Sequence, residues 1–147
     1  LEELDGDDRK VIVIIDPDGA KGKTTLVKHL VANHKAGYCP PLPEALDYMA
    51  WALAHKSAVT FVLDIPKVDD TKKNKAMWSA VEQMKNGYLY DKRNQWREEW
   101  IEPPNVVVIT NSEPDLSYLS WDRWVIGRID QDVDRRMAHI NWDQYHH

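Results

Sequence analysis

One stretch, residues 11 to 25, limits the possible folds of this chain more than any other. Five consecutive β-branched residues, Val11 to Ile15, lead into Asp16-Pro17-Asp18-Gly19-Ala20-Lys21-Gly22-Lys23-Thr24-Thr25. An unbroken β-branched run reads as a strand buried on both faces. Leu26, Val27, Leu30 and Val31 then fall on one helical stripe, predicting a helix over residues 24–35. A strand, a tight glycine-containing loop, Gly-Lys-Thr and a helix are the parts of a Walker A phosphate loop. Each part has a physical task. Glycine lets backbone N–H groups close on phosphate oxygens, and the helix directs its positive end at the same anion.

On that reading Asp18, Gly19, Ala20, Lys21, Gly22, Lys23, Thr24 and Thr25 cradle the phosphates of ATP. Lys23 reaches the β- and γ-phosphates, and the Thr24 hydroxyl ligates Mg2+. The spacing departs from the strict pattern, because Pro17 stands where the first glycine is usual. The loop fits a variant one residue longer, with Asp16 in place of that variant's glycine. The plainer alternative is a surface turn ahead of an ordinary helix.

Further along, residues 44–55 and 70–85 carry apolar residues at helical spacing, and residues 59–64, 106–110 and 124–129 read as strands. Between the second helix of that pair and the strand at 106, Asn86-Gly87 breaks the helix. Two short aromatic segments follow, 88–90 and 96–101, read as a β-hairpin. Strands alternating with helices predict an α/β fold with a parallel central sheet flanked by helices and a β-hairpin insertion. Residues 1–8 read as a linker remnant, 9–130 as the domain, and 131–147 as a tail with no clear element.

Composition removes several classes. At 147 residues, 43% hydrophobic and 29% charged, the chain suits one globular domain. No apolar run is long enough to cross a bilayer, and Cys39 is the single cysteine, so neither an intrachain disulfide nor a cysteine zinc cluster can form. A net charge of −5 argues against a basic coat for duplex DNA. It leaves room for a few cations gripping one strand.

Two strand ends carry further candidates. Thr60-Phe61-Val62-Leu63-Asp64 ends in a carboxylate suited to Mg2+, as a Walker B strand does. Its neighbour is Ile65 rather than a second acid. Asp64 is therefore the first candidate for activating water, with Asp69 and Asp70 behind it. The strand ending at Thr110 delivers Asn111, an amide able to orient the attacking water. Asp64 preceding a simple turn, and Asn111 as an ordinary turn residue, are the alternatives.

Taken in order, residues 16–25, Phe61-Val62-Leu63-Asp64-Ile65-Pro66-Lys67, residues 85–93 and residues 106–124 resemble the superfamily 3 helicase domain of the replication initiator (Rep) proteins of eukaryotic circular single-stranded DNA viruses. The phosphate loop and the Asp-Ile-Pro-Lys turn look most like circovirus-like and nanovirus-like members. The resemblance implies an AAA+-like P-loop NTPase working in the host nucleus and assembling into a ring, with a hexamer expected. Lys23, Asp64, Asn111 and an arginine finger would be catalytic, the finger matching Arg123, with Arg128 as runner-up. The hairpin would hold single-stranded DNA through Lys85, Lys92 and Arg93. The tyrosine endonuclease domain that usually accompanies such helicases has no counterpart ahead of Arg9. A small P-loop kinase, or an oligomerising nucleotide-binding module without unwinding, explains Lys23, Thr24 and Asp64 as well.

Overall fold

The computed structural model describes residues 9–17, 22–130 and 139–143. Their elements run β1 (Val11–Ile15), α1 (Gly22–Asn33), β2 (Ala36–Cys39), α2 (Ala45–Ala54), β3 (Thr60–Asp64), α3 (Thr71–Lys85), β4 (Tyr88–Asp91), β5 (Arg97–Trp100), β6 (Asn105–Thr110), β7 (Trp124–Asp130) and β8 (His139–Trp142). Single 3-10 turns, Leu116–Tyr118 and Trp121–Arg123, bridge β6 to β7.

Six strands form one sheet in the order β2-β3-β6-β1-β7-β8, and β4-β5 form a separate two-stranded ribbon. All neighbours in the large sheet pair parallel except β8, which runs antiparallel to β7. Every residue of β1 and β3 is buried, as the continuous β-branched and aromatic runs predict for a sheet covered on both faces. Ile12, Ile14, Val62, Val107 and Ile109 pack with Leu26 and Leu30 of α1 on one face. Val11, Val13, Phe61, Leu63, Val106 and Val108 pack against residues of α2 and α3 on the other. The strand period of two thus sorts one run of residues between two cores.

Local chemistry sets the boundaries. Asp70 caps α3, its carboxylate accepting the N–H groups of Lys72 and Lys73 at 2.9 and 3.2 Å. The Glu44 N–H donates to Asp47 Oδ2 at 3.0 Å, fixing the start of α2. At the other end of α3, Gly87 sits at φ +87°, and a Cβ there would run into the Ile101 carbonyl oxygen. Gly87 is therefore required where α3 turns into the hairpin.

Two strands have no counterpart in the sequence reading. β2, Ala-Gly-Tyr-Cys, is a four-residue edge strand with only Cys39 buried, so it carries no apolar run to detect. β8 follows β7 and gives part of residues 131–147 a place in the sheet. α1 starts at Gly22, two residues ahead of the predicted start, which puts Lys23 and Thr24 inside its first turn.

Candidate functional site

The carboxyl ends of β1, β3 and β6 lie side by side at one edge of the sheet, with the N-terminus of α1 above them. In open α/β sheets this edge is where ligands bind. Continuing the alternation of each strand directs Asp16 and Asp64 to the α1 face, alongside Ile14 and Val62. Lys23 meets Asp64 there. Its Nζ lies 2.9 Å from Asp64 Oδ2, joining the predicted phosphate lysine to the predicted metal carboxylate across 41 residues of sequence.

Asp64 is held on two sides by residues the sequence reading did not single out. The Tyr38 hydroxyl, from edge strand β2, donates to the same Oδ2 at 2.9 Å. The Tyr48 hydroxyl, from α2, donates to the Asp64 backbone carbonyl at 2.6 Å. Burial is the main cause pushing both phenols up to about 12; for Tyr38 the hydrogen bond to Asp64 adds to it. Both therefore stay protonated, and remain donors, across the physiological range. Among the described residues nothing donates to Asp64 Oδ1, so one carboxylate oxygen is occupied and the other is open.

Asp16 is 2% exposed, and neither of its oxygens has a hydrogen-bond partner among the described residues. A buried carboxylate without donors is costly and asks for a cation or a donor from elsewhere. Asp16, Asp64 Oδ1 and the exposed Thr24 hydroxyl are hard oxygen donors of the kind that suits magnesium, carried by two strand ends with β6 between them and by the first turn of α1. Among the described residues no group of three or more His, Cys, Asp or Glu side chains could hold a metal alone. A metal here would share its coordination with phosphate oxygens and water.

The remaining candidates divide. Asn111 follows β6 at this edge, and its Oδ1 accepts the Lys67 N–H at 3.2 Å, tying the loop after β3 to the end of β6. Asp70 is committed to its helix cap, which removes it as a water-activating base. Asp69 instead lines a cleft of about 440 Å³ with Lys67, Thr71, Trp78, Ser112 and Tyr118. That cleft opens on the α3 face; Lys23, Thr24 and Asp64 do not line it, and Lys23 and Asp64 meet on the opposite, α1 face. The cradle residues Asp18, Gly19, Ala20 and Lys21 lie outside the described residues. Gly22 and Thr25 belong to the first turn of α1.

Arg123 does not project outward. It is 5% exposed, with Nε 3.3 Å from Glu82 and its terminal nitrogens donating to Asn86 Oδ1 and the Arg9 carbonyl. It stands at the start of β7, at the opposite end of the strands from Asp64, and fastens β7 to α3 within its own chain. Arg128, the runner-up, lies at the site edge and pairs with Glu113 at 2.7 Å and with Asp143.

The hairpin residues also need correction. Lys85 is 2% exposed, and its Nζ donates to the Pro104 carbonyl at 2.9 Å, so it cannot meet a nucleic acid. Arg93 folds back onto Asp47 at 2.7 Å and Asp91 at 3.1 Å, anchoring the hairpin turn to α2. Those two carboxylates raise the Arg93 pKa, the Asp91 hydrogen bond most, and Arg93 in turn lowers that of Asp91. Lys92 remains exposed at the turn. Arg97, not singled out from the sequence, is exposed on β5 in register with Asp91.

No protein-family model matches the chain. It is 32% identical over 125 residues, 85% of its length, to the master replication protein of faba bean necrotic yellows virus (isolate Syrian SV292-88), of which that region is 41%. It is 32% identical over 120 residues to the master replication protein of subterranean clover stunt virus (strain F), covering 82% of the chain and 40% of that protein. The Para-Rep C6 of subterranean clover stunt C6 alphasatellite is also 32% identical, over 84% of the chain and 42% of the relative. The chain thus spans about two fifths of the curated relatives it matches. A solved chain described as the apo A form of the NrS-1 C-terminal region aligns at TM-score 0.46 and 14% identity, over 82% of this chain and 29% of that one, too loosely to support an argument.

Proposed function

We propose that this chain is the ATP-hydrolysing helicase domain of a viral replication protein, binding Mg-ATP at the N-terminus of α1 and moving on single-stranded DNA. One observation carries the reading: Lys23, at the start of α1, pairs with Asp64, at the end of β3, over a sheet edge built to take a ligand. A lysine and a carboxylate brought together from sequence segments of these two types are the polar halves of a phosphate-and-metal site. The similarity to master replication proteins supports a role in replicating viral DNA.

This chain's own groups have definite tasks in that scheme. Lys23 leaves Asp64 for the β- and γ-phosphates, while the α1 N-terminus supplies N–H groups to the same anion. Tyr38 keeps its bond to Asp64 Oδ2 and holds Oδ1 toward the metal position. Asn111 steadies the loop after β3 and lies at the edge where attacking water would be oriented. Magnesium, when bound, neutralises phosphate charge and leaves the terminal phosphoryl group open to attack. Self-association into a ring, with sites completed by a neighbour, belongs to the same proposal; Arg123 is not the residue that completes them.

Steady ATP turnover by the chain, raised by single-stranded DNA and abolished in Lys23→Ala, is the expected result. Turnover indifferent to DNA but transferring phosphate to a small acceptor would make the chain a kinase instead. Binding without turnover would make it a nucleotide-stabilised assembly module.

A further inference from the structure

Four aromatic rings of the β4-β5 hairpin form one column. Centroids of Trp96 and Tyr90 lie 6.0 Å apart with planes 16° from parallel, those of Tyr90 and Tyr88 5.4 Å apart at 29°, and those of Tyr88 and Trp100 4.6 Å apart at 34°. Strand register explains the alignment. Tyr88 pairs with Trp100, and the period of two places Tyr88 and Tyr90 on one face, opposite the fully buried Leu89.

The tyrosines are half-buried, but the column ends are open: Trp96 is 54% exposed and Trp100 70%. Cross-strand pairing accounts for the middle of the column and leaves its two indole ends facing solvent. Exposed aromatic surface of this kind marks a contact site.

Local charge indicates the partner. Asp91 is engaged by Arg93, Glu99 by Lys56 at 2.7 Å, and Glu98 accepts the Tyr88 hydroxyl at 2.6 Å. Lys92 is exposed at the turn, and among the described residues no carboxylate lies within ion-pair distance of it; Arg97 stands in register with Asp91 on the Leu89 face, where its charge helps lower the Asp91 pKa. Exposed π-faces near the Lys92 cation fit a partner with flat aromatic groups on an anionic chain.

We propose that the open faces of Trp96 and Trp100 are stacking sites for unpaired nucleobases, with Lys92 meeting an adjoining phosphate. The proposal rests on the single-stranded-DNA reading above and adds base contacts to a grip otherwise limited to phosphate. Stacking of this kind tolerates any sequence, because every base has a π-face, and it excludes a duplex, whose faces are already stacked.

The test compares a labelled oligothymidine with an abasic oligomer of equal length and charge, titrated against the whole chain by fluorescence anisotropy. The expected result is a clear preference for oligothymidine, lost by about tenfold for each of Trp96→Ala and Trp100→Ala and partly restored by Trp→Phe. Trp121→Ala, another exposed indole outside the hairpin, should leave the preference intact. Equal binding of both oligomers overturns the proposal while leaving a phosphate grip standing. Alanine variants that bind oligothymidine normally but lose self-association in sedimentation also overturn it, assigning the face to a second copy of the chain. Failure of the wild-type chain to bind either oligomer removes the single-stranded-DNA reading and this proposal with it.

Discussion

Tyr38→Phe removes one hydroxyl and leaves the ring in place, so it isolates the bond to Asp64. That bond ends on a carboxylate whose side chain is 6% exposed, and it shares Oδ2 with Lys23. A hydrogen bond to a charged group contributes about 1.5–3 kcal/mol. With Lys23 still on the same oxygen in the empty chain, the lower end applies, a loss of about 1.5 kcal/mol and a Tm lower by about 5 °C. Once Lys23 turns to the phosphates, Tyr38 is the donor left on Oδ2, and its loss weighs more heavily in the loaded state. The excess is about 1.4 kcal/mol, or about tenfold in affinity for Mg-ATP. Titrating a fluorescent ATP analogue with and without magnesium reads this directly. The variant should bind about tenfold more weakly with magnesium, and also in EDTA, because Lys23 turns to the phosphates in both cases. A variant that loses stability yet binds Mg-nucleotide like the wild type would refute the positioning role and leave Tyr38 a packing residue.

Three other outcomes follow from the same geometry. Tyr38 and Tyr48 both titrate at about 12 in the fold against 10.0 when unperturbed, so the folded chain holds more protons between those values; stability should be undiminished below pH 10 and fall as pH rises toward 12, less steeply in Tyr38→Phe by urea denaturation. Arg123→Ala should cost about 3 kcal/mol, because it strips a buried guanidinium from Glu82 and Asn86, and should not restore turnover when mixed with Lys23→Ala protein; rescue on mixing would reinstate it as a residue acting between subunits. Lys85→Met should leave single-stranded DNA affinity unchanged while lowering thermal stability, since the lysine ends on the Pro104 carbonyl inside the fold.

How much was legible depends on where each signal lies. Long runs were readable: Val11–Ile15, Thr60–Asp64 and Asn105–Thr110 declare themselves because strands buried on both faces need continuous apolar residues. Helix and hairpin boundaries fell within a few residues, as caps such as Asp70 and the obligate Gly87 are local chemistry. β2 was not legible, and Tyr38 came with it, because a half-buried edge strand of four residues leaves no pattern.

Site residues followed the same division. Lys23 and Asp64 could be paired in advance because each sits at the end of a recognisable segment, and the fold brings them into contact. Charge misled where the sequence hides burial. Lys85 and Arg123 look like surface cations in a string of letters, yet each closes a gap between elements far apart in the chain. Arg93 was placed correctly on the hairpin turn, but nothing local to it reveals that Asp47, 46 residues earlier, would engage it. The aromatic column was half visible: the aromatic segments 88–90 and 96–101 read as a hairpin, while the exposure of Trp96 and Trp100 belongs to the folded surface alone.

Isothermal calorimetry of ATP with magnesium, on the wild-type chain and on Lys23→Ala, tests the central claim most directly. Saturable one-to-one binding by the wild type, lost or weakened at least a hundredfold when the lysine is removed, is the predicted result. No heat of binding in the wild type, or equal binding by both proteins, would contradict a nucleotide held where α1 meets the end of β3.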